Sequence, residues 1–124
     1  MSDQIRVGLV GYGYASKTFH APLISGTPGM TLEAVSSSDA AKVHADWPAV
    51  SVGSDPEALF NDPDIDLIVI PTPNDTHFPL AKAALEAGKN VVVDKPFTVT
   101  LSQARELETL AKQQGKLLSV FHNR

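Results

Sequence analysis

The sequence contains no cysteine, which removes a disulfide framework, a thiolate metal site and a catalytic thiol at once. It is poor in positive charge as well. Ten Lys and Arg stand against fourteen Asp and Glu, a formal net charge of −4, and nucleic acids and anionic membranes, which are held by clustered basic residues, are excluded as expected partners. Long hydrophobic runs are missing too. Met1 to Gln4 pass directly into a short apolar run, with no basic leader and no stretch long enough to cross a bilayer, so a soluble cytoplasmic protein is expected. There are no repeats, low-complexity tracts or linkers. His20, His44 and His122 show no metal-ligand spacing with one another or with the carboxylates, and no metal site is predicted.

What is present, 43% hydrophobic and 19% charged residues over 124 positions, suits one globular domain with its own core. Short apolar runs alternate with helical segments, the pattern of parallel strands joined by crossover helices. Five or six strands are predicted: Ile5 to Val10, Leu32 to Val35, a weak third at Val50 to Val52, Leu67 to Ile70, Val91 to Val93 and Leu117 to Phe121. Most are continuously apolar, as strands covered on both faces should be. Ser54, Asp55, Pro56 and Glu57 combine capping-box spacing with a first-turn proline. Thr76 to Ala87, stopped by Gly88, and Thr100 to Gln114, stopped by Gly115, predict longer helices, with Pro79 in a first turn. The expected fold class is α/β, a doubly wound parallel sheet in one domain over residues 1–124. Phe121 to Arg124 follow a strand directly, so the chain is expected to be a domain excised from a larger protein.

The first strand runs into Gly11-Tyr12-Gly13-Tyr14-Ala15-Ser16, which matches G-x-G-x-x-G/A with Ser16 in the third place. The first glycine allows a tight turn, the second lets the backbone approach a pyrophosphate, and the third lets helix and strand pack closely. Serine is small, so only the least strict demand is relaxed. The N–H groups of the following helix then face the pyrophosphate. Two other readings stand beside this one. The turn suits a fold that binds no dinucleotide, and Gly11 to Thr18 also reads G-x-x-x-x-S-K-T, close to the phosphate loop of nucleotide triphosphatases, with Val91-Val92-Val93-Asp94 as a strand ending in a magnesium-binding aspartate. Against the phosphate loop, the glycine before its lysine is replaced where glycine supplies the freedom to wrap around phosphates.

In NAD-specific domains an Asp or Glu after the second strand accepts hydrogen bonds from the ribose 2′-OH. Ser37 falls at that place, within Ser36-Ser37-Ser38-Asp39-Ala40-Ala41-Lys42. A carboxylate would repel a 2′-phosphate, whereas serine hydroxyls donate to it and Lys42 offers a charge from the next helix. NADP is the expected cofactor, with NAD as the alternative. No arginine supports the site, Asp39 stands close enough to oppose it, and a serine-rich turn also serves as a plain helix cap.

Joined to Pro71-Thr72-Pro73-Asn74-Asp75-Thr76-His77 after the fourth strand and Asp94-Lys95-Pro96 after the fifth, the glycine turn makes the chain resemble the Gfo/Idh/MocA oxidoreductase family. The resemblance covers nearly all of the chain and extends to Phe19-His20-Ala21-Pro22. Each motif falls at the carboxyl end of a strand, where ligands bind in open α/β sheets. The resemblance implies a Rossmann domain, followed beyond residue 124 by an α/β substrate domain that is missing here and often forms the oligomer interface. It implies hydride transfer between NAD(P) and a sugar, an inositol or a related polyol, with a homo-oligomer in the full-length protein. The family's acid–base histidine or tyrosine and its partner aspartate belong to the second domain, so this chain alone is expected to bind dinucleotide without turning substrate over. The spacing after the second strand is similar to that of NADP-binding members.

The family lysine corresponds to Lys95, in Asp-Lys-Pro where the family pattern is Glu-Lys-Pro. An ammonium beside the nicotinamide holds the reacting hydroxyl and stabilises alkoxide character as hydride leaves, which makes Lys95 the catalytic candidate. Its alternative is a surface lysine in a loop. The resemblance places Asn74 and His77 on the nicotinamide side, although they also suit a helix N-cap and a first-turn surface residue. The expected cofactor-binding set is Gly11, Gly13, Tyr14, Ala15, Ser37, Ser38, Lys42, Pro71, Thr72, Asn74, His77, Asp94 and Pro96. Trp47, beside Pro48, reads as packing or a loop cover. Two other classes compete with an enzyme domain. A non-catalytic NAD(P)-binding sensor or scaffold has no use for a lysine at the hydride-transfer position, and a methyltransferase usually has a carboxylate where Ser37 stands.

Overall fold

Continuously apolar strands must be covered on both faces, and helices on each side of one sheet meet that demand. The computed structural model describes residues 5–12, 21–53, 55–71, 74–94 and 101–121, with the backbone alone for 74–77, 94, 120 and 121. The elements run β1 (Ile5–Val10), α1 (Ala21–Gly26), β2 (Met30–Ser36), α2 (Ala40–Asp46), β3 (Ser51–Gly53), α3 (Pro56–Phe60), β4 (Leu67–Ile70), α4 (Asn74–Glu86), β5 (Asn90–Asp94), α5 (Leu101–Gln114) and β6 (Leu118–Phe121). Every strand pair is parallel, in the order β3-β2-β1-β4-β5-β6. The order in which strands are added reverses between β1 and β4, which opens a crevice outside their carboxyl ends.

Alternate residues of a strand face opposite sides, and the two sides carry separate cores. Val7 and Leu9 of β1 join Leu67 and Val69 of β4, Leu32 and Val35 of β2, and Ala21, Ile24 and Val43 of α1 and α2. Val10, Ile68, Ile70, Val91 and Val93 pack against Leu59 and Phe60 of α3, Ala84 and Leu85 of α4, and Leu107 of α5. Leu9, Ile68, Ile70 and Leu85 are fully buried, each worth about 1.5–3 kcal/mol of transfer free energy.

The element ends depart from the sequence-based expectation in specific places. Asp55, and not Ser54, caps α3, its carboxylate accepting the Glu57 N–H at 3.0 Å. Helix α4 begins at Asn74, two residues early, so Pro79 lies inside the helix and beyond the first turn; the bond its nitrogen cannot make would run to the Asp75 carbonyl. Thr100, the expected cap of α5, lies outside the described residues. Gly88 stops α4 as expected. It has φ 85°, its N–H donates to the Leu85 carbonyl at 3.0 Å, and the Lys89 N–H donates to that of Ala84 at 3.1 Å, the paired bonds of a left-handed C-cap. Gly115 and Lys116 repeat these bonds onto Lys112 and Ala111. β2 starts at Met30 because Met30 pairs with Ile5, while β3 and β6 start one residue later than expected.

Charged groups tie the amino-terminal edge of the sheet. Arg6 donates from Nε to Asp66 Oδ2 at 3.2 Å and from Nη2 to Oδ1 at 3.4 Å, and this hydrogen-bonded guanidinium holds the Asp66 carboxyl below its ordinary range. Lys89 is buried and donates from Nζ to the carbonyls of Asp62 and Ile65, both at 2.6 Å. A hydrogen bond from a charged donor contributes about 1.5–3 kcal/mol, so this lysine fastens the segment between α3 and β4 beneath the start of β5.

Candidate functional site

A parallel sheet brings the carboxyl ends of β1, β2, β4 and β5 to one edge, and the chemistry-bearing motifs lie just past those ends. Gly11 follows β1 with φ 83°, a left-handed conformation that any side chain would strain. Its N–H donates to the Ser36 carbonyl at 2.7 Å and to Ser36 Oγ at 3.2 Å. The first glycine of the motif is therefore anchored on the last residue of β2, a buried serine.

Tyr12 turns inward. It is 5% exposed and belongs to the same core as Ala21, Ile24 and Val43. Its hydroxyl donates to Asp46 Oδ2 at 2.6 Å and accepts the Trp47 indole N–H at 3.0 Å, as a buried phenol requires. Burial above all, and then the bond to Asp46, push its pKa from 10.0 to about 12, against a smaller opposing effect of Trp47. Lys42, one turn before Asp46 on α2, is exposed, with its ammonium 6.0 Å from the centre of the Tyr12 ring.

Past β2, the Ser37 N–H donates to the Gly53 carbonyl at 2.7 Å, and Ser37 Oγ accepts the Asp39 N–H at 3.1 Å. Asp39 in turn caps α2, with Oδ1 accepting the Lys42 N–H at 3.1 Å. Its negative charge is thus engaged at a helix start, where it is favoured. Ser38 is exposed beside it.

Across the crevice, half-buried Pro71 follows β4, Asn74 and His77 are the first and fourth residues of α4, and Asp94 closes β5 opposite Phe121. Gly11, Pro71 and Asp94 are brought to one edge of the sheet, with Ser37, Ser38 and Lys42 grouped on its β2 side. Gly13, Tyr14, Ala15, Thr72, Lys95 and Pro96 lie outside the described residues, as do Pro73, His20 and His122. Among the described residues no group of His, Asp and Glu could hold a metal ion; His44 Nε2 lies instead 2.9 Å from the Val50 carbonyl. No described helix is long and apolar enough to cross a membrane.

Ser36, Tyr12 and Asp46 had no assigned role in the sequence, and Trp47 was read as packing or a loop cover. Trp47 does pack against the α1–α2 core while its indole N–H serves the Tyr12 hydroxyl. The available signal was chemical. With one tryptophan and two tyrosines in the chain, an amphipathic ring placed inside the turn motif needs a polar partner once it is buried.

A parallel sheet of this strand order, with a left-handed glycine at the end of its first strand, defines a nucleotide-binding Rossmann domain. Residues 5–122 match an oxidoreductase family with an NAD-binding Rossmann fold, and the chain belongs to that family, Gfo/Idh/MocA. It is similar to oxidoreductase YdgJ of Escherichia coli, at 80% identity over 100% of this chain and 36% of that protein. It is similar to IolW of Bacillus subtilis, a scyllo-inositol 2-dehydrogenase (NADP(+)), at 37% identity over 98% of this chain and 34% of that protein. A solved structure from Yersinia pestis superposes with a TM-score of 0.96 at 77% identity, covering 100% of this chain and 36% of that one. The chain spans about a third of the length of the curated relatives it matches. Membership of an NAD-binding family sets the phosphate-loop alternative aside.

The raised pKa of Tyr12 has a signed consequence. Below pH 10.0 the phenol is neutral in folded and unfolded chains alike, and between 10.0 and about 12 only the unfolded chain ionises, so stability falls through that window. In a phenolate absorbance titration, the difference between the wild-type protein and Tyr12→Phe is expected to be centred near pH 12. A difference centred at pH 10.0 would mean that the hydroxyl is free.

Proposed function

We propose that the chain is the cofactor-binding domain of an NADP-dependent dehydrogenase that moves hydride between nicotinamide and a sugar, an inositol or a related polyol. In this reading an α/β domain follows residue 124, completes the substrate pocket and forms the homo-oligomer. The observation that carries the cofactor assignment is the Asp39 carboxylate closed on the start of α2. The Asp39 carboxylate, the acidic group beside Ser37, is held on the helix start by the Lys42 N–H, while Ser38 and Lys42 stay exposed. The Bacillus subtilis relative, whose name carries scyllo-inositol and NADP(+), supports both the substrate class and the cofactor.

The residues fit such a group. The left-handed backbone at Gly11 leaves room for a pyrophosphate to approach, and the amides of Gly13, Tyr14 and Ala15, the next residues of the motif, would bind it. Ser37, Ser38 and Lys42 hold the 2′-phosphate through charge-assisted hydrogen bonds. Pro71, Thr72, Asn74, His77, Asp94 and Pro96 line the nicotinamide side. The nicotinamide supplies or accepts the hydride. Lys95 holds the substrate hydroxyl and stabilises the negative charge that builds on its oxygen.

Lys95→Ala in the full-length protein is expected to lower kcat roughly 10²-fold while cofactor affinity changes less than about twofold, because an acid–base group acts mainly in the transition state. Near-normal kcat would make Lys95 an ordinary loop residue and favour a sensor. A charge-assisted contact is worth about 1.5–3 kcal/mol, so NADPH should bind about ten- to a hundredfold more tightly than NADH, and Ser37→Asp should abolish the preference. Equal affinities, or NADPH binding unchanged in the variant, would refute the NADP assignment.

A further inference from the structure

Helix α2 has seven residues, a length at which an isolated helix does not persist in water. It must nevertheless carry Lys42 at a set distance from the glycine turn if Lys42 is to meet a 2′-phosphate. One buried side chain spans that gap. Tyr12 leaves the turn directly after Gly11 and lies along α2, with its ring 6.0 Å from Lys42 Nζ. One helical turn further on, its hydroxyl reaches Asp46 Oδ2 at 2.6 Å, and it takes the Trp47 indole N–H at 3.0 Å where the helix ends.

Lys42 and Asp46 are four residues apart, the spacing at which an ammonium and a carboxylate pair along one helical face. The phenol engages both. A cation over an aromatic face is attracted to it, so the ring draws the ammonium towards the turn, while the hydroxyl fixes the end of the helix through Asp46. Gly11, the residue before the phenol, is itself fixed on Ser36, so the tie runs from the end of β2 through the turn to the far end of α2.

We propose that Tyr12 is a positioning residue for recognition of the NADP 2′-phosphate: its hydroxyl, held between Asp46 and Trp47, clamps α2 to the glycine turn and so sets the Lys42 ammonium within reach of the phosphate. This rests on the NADP assignment above. Tyr12 then sets cofactor specificity through Lys42, and its loss acts unequally on the two cofactors, because only NADPH uses that lysine.

The test measures dissociation constants of NADPH and NADH, by the fluorescence of the reduced nicotinamide, for the full-length protein and four variants. Tyr12→Phe keeps the ring and removes the hydroxyl. Asp46→Ala removes the acceptor from an exposed position, so the link is cut without opening the core. Each is expected to weaken NADPH about three- to tenfold, the effect of one lost hydrogen bond, and to change NADH less than about twofold. The double variant should be no weaker than the singles, since both cut the same link. Asp46→Asn, which keeps an acceptor, should restore the wild-type preference. Equal effects on the two cofactors, or no effect in Tyr12→Phe, would overturn the proposal, as would Asp46→Asn behaving like Asp46→Ala. Should Tyr12→Phe fail to fold, an unchanged NADPH preference in Asp46→Ala overturns it alone. A wild-type protein that binds NADH as tightly as NADPH overturns the NADP assignment itself, and this is seen before any variant is made.

Discussion

The Gly11 amide, donating at 2.7 Å to the Ser36 carbonyl and at 3.2 Å to its hydroxyl, is the constraint on which the carboxyl edge of this domain depends. It joins the ends of β1 and β2, beside the crevice between β1 and β4 where the strand order reverses. A glycine at φ 83° takes the chain off β1, and with that turn held on Ser36 the next side chain enters the core beside α1 and α2. A buried hydroxyl without a partner costs about 1–3 kcal/mol, so Tyr12 requires the partners it finds in Asp46 and Trp47. The position of α2 and of Lys42 follows from that requirement.

The proposed binding groups and the stabilising charged groups occupy opposite edges of the sheet. At the amino edge, Arg6 grips Asp66, Lys89 is buried against two carbonyls, and the Asn90 side chain donates to the Asp66 carbonyl while accepting the Leu117 N–H. These bonds satisfy the polar groups of that edge, the buried Lys89 ammonium included. At the carboxyl edge the polar groups serve turns and caps, and their exposed neighbours, Ser38 and Lys42 among them, remain available to a ligand. The division follows from parallel topology, which gathers like ends of strands together.

How much of this was legible in the sequence depended on the range of the interaction concerned. β1 and β4 were delimited to the residue, because a polar residue precedes each largely apolar run and a glycine or proline ends it. β2 was read too short, since its ends are decided by pairing of Met30 with Ile5 and Ser36 with Val10 and not by hydropathy. The start of α4 was missed by two residues, and with it the place of Pro79, because Asn74 and Thr76 offer equally good caps. In the site, the glycine motif was visible because its demand is local. The Gly11–Ser36 and Tyr12–Asp46 bonds join residues 25 and 34 positions apart, and no window of sequence contains both partners. Asp39 illustrates the same limit at short range: its presence was read as opposing a 2′-phosphate, and its part as the cap of α2, through the hydrogen bond from the Lys42 N–H, is visible only in three dimensions.

The most direct test of the account is a crystal structure of the full-length protein with NADPH bound. The account predicts the pyrophosphate over the turn that begins at Gly11, the 2′-phosphate within hydrogen-bond distance of Lys42 and the Ser37–Ser38 turn, and the nicotinamide beyond the ends of β4 and β5. The Tyr12 hydroxyl should remain on Asp46. A dinucleotide lodged elsewhere, such as the groove of about 460 Å³ between α4 and α5 lined by Lys82, Arg105 and Glu106, would contradict it.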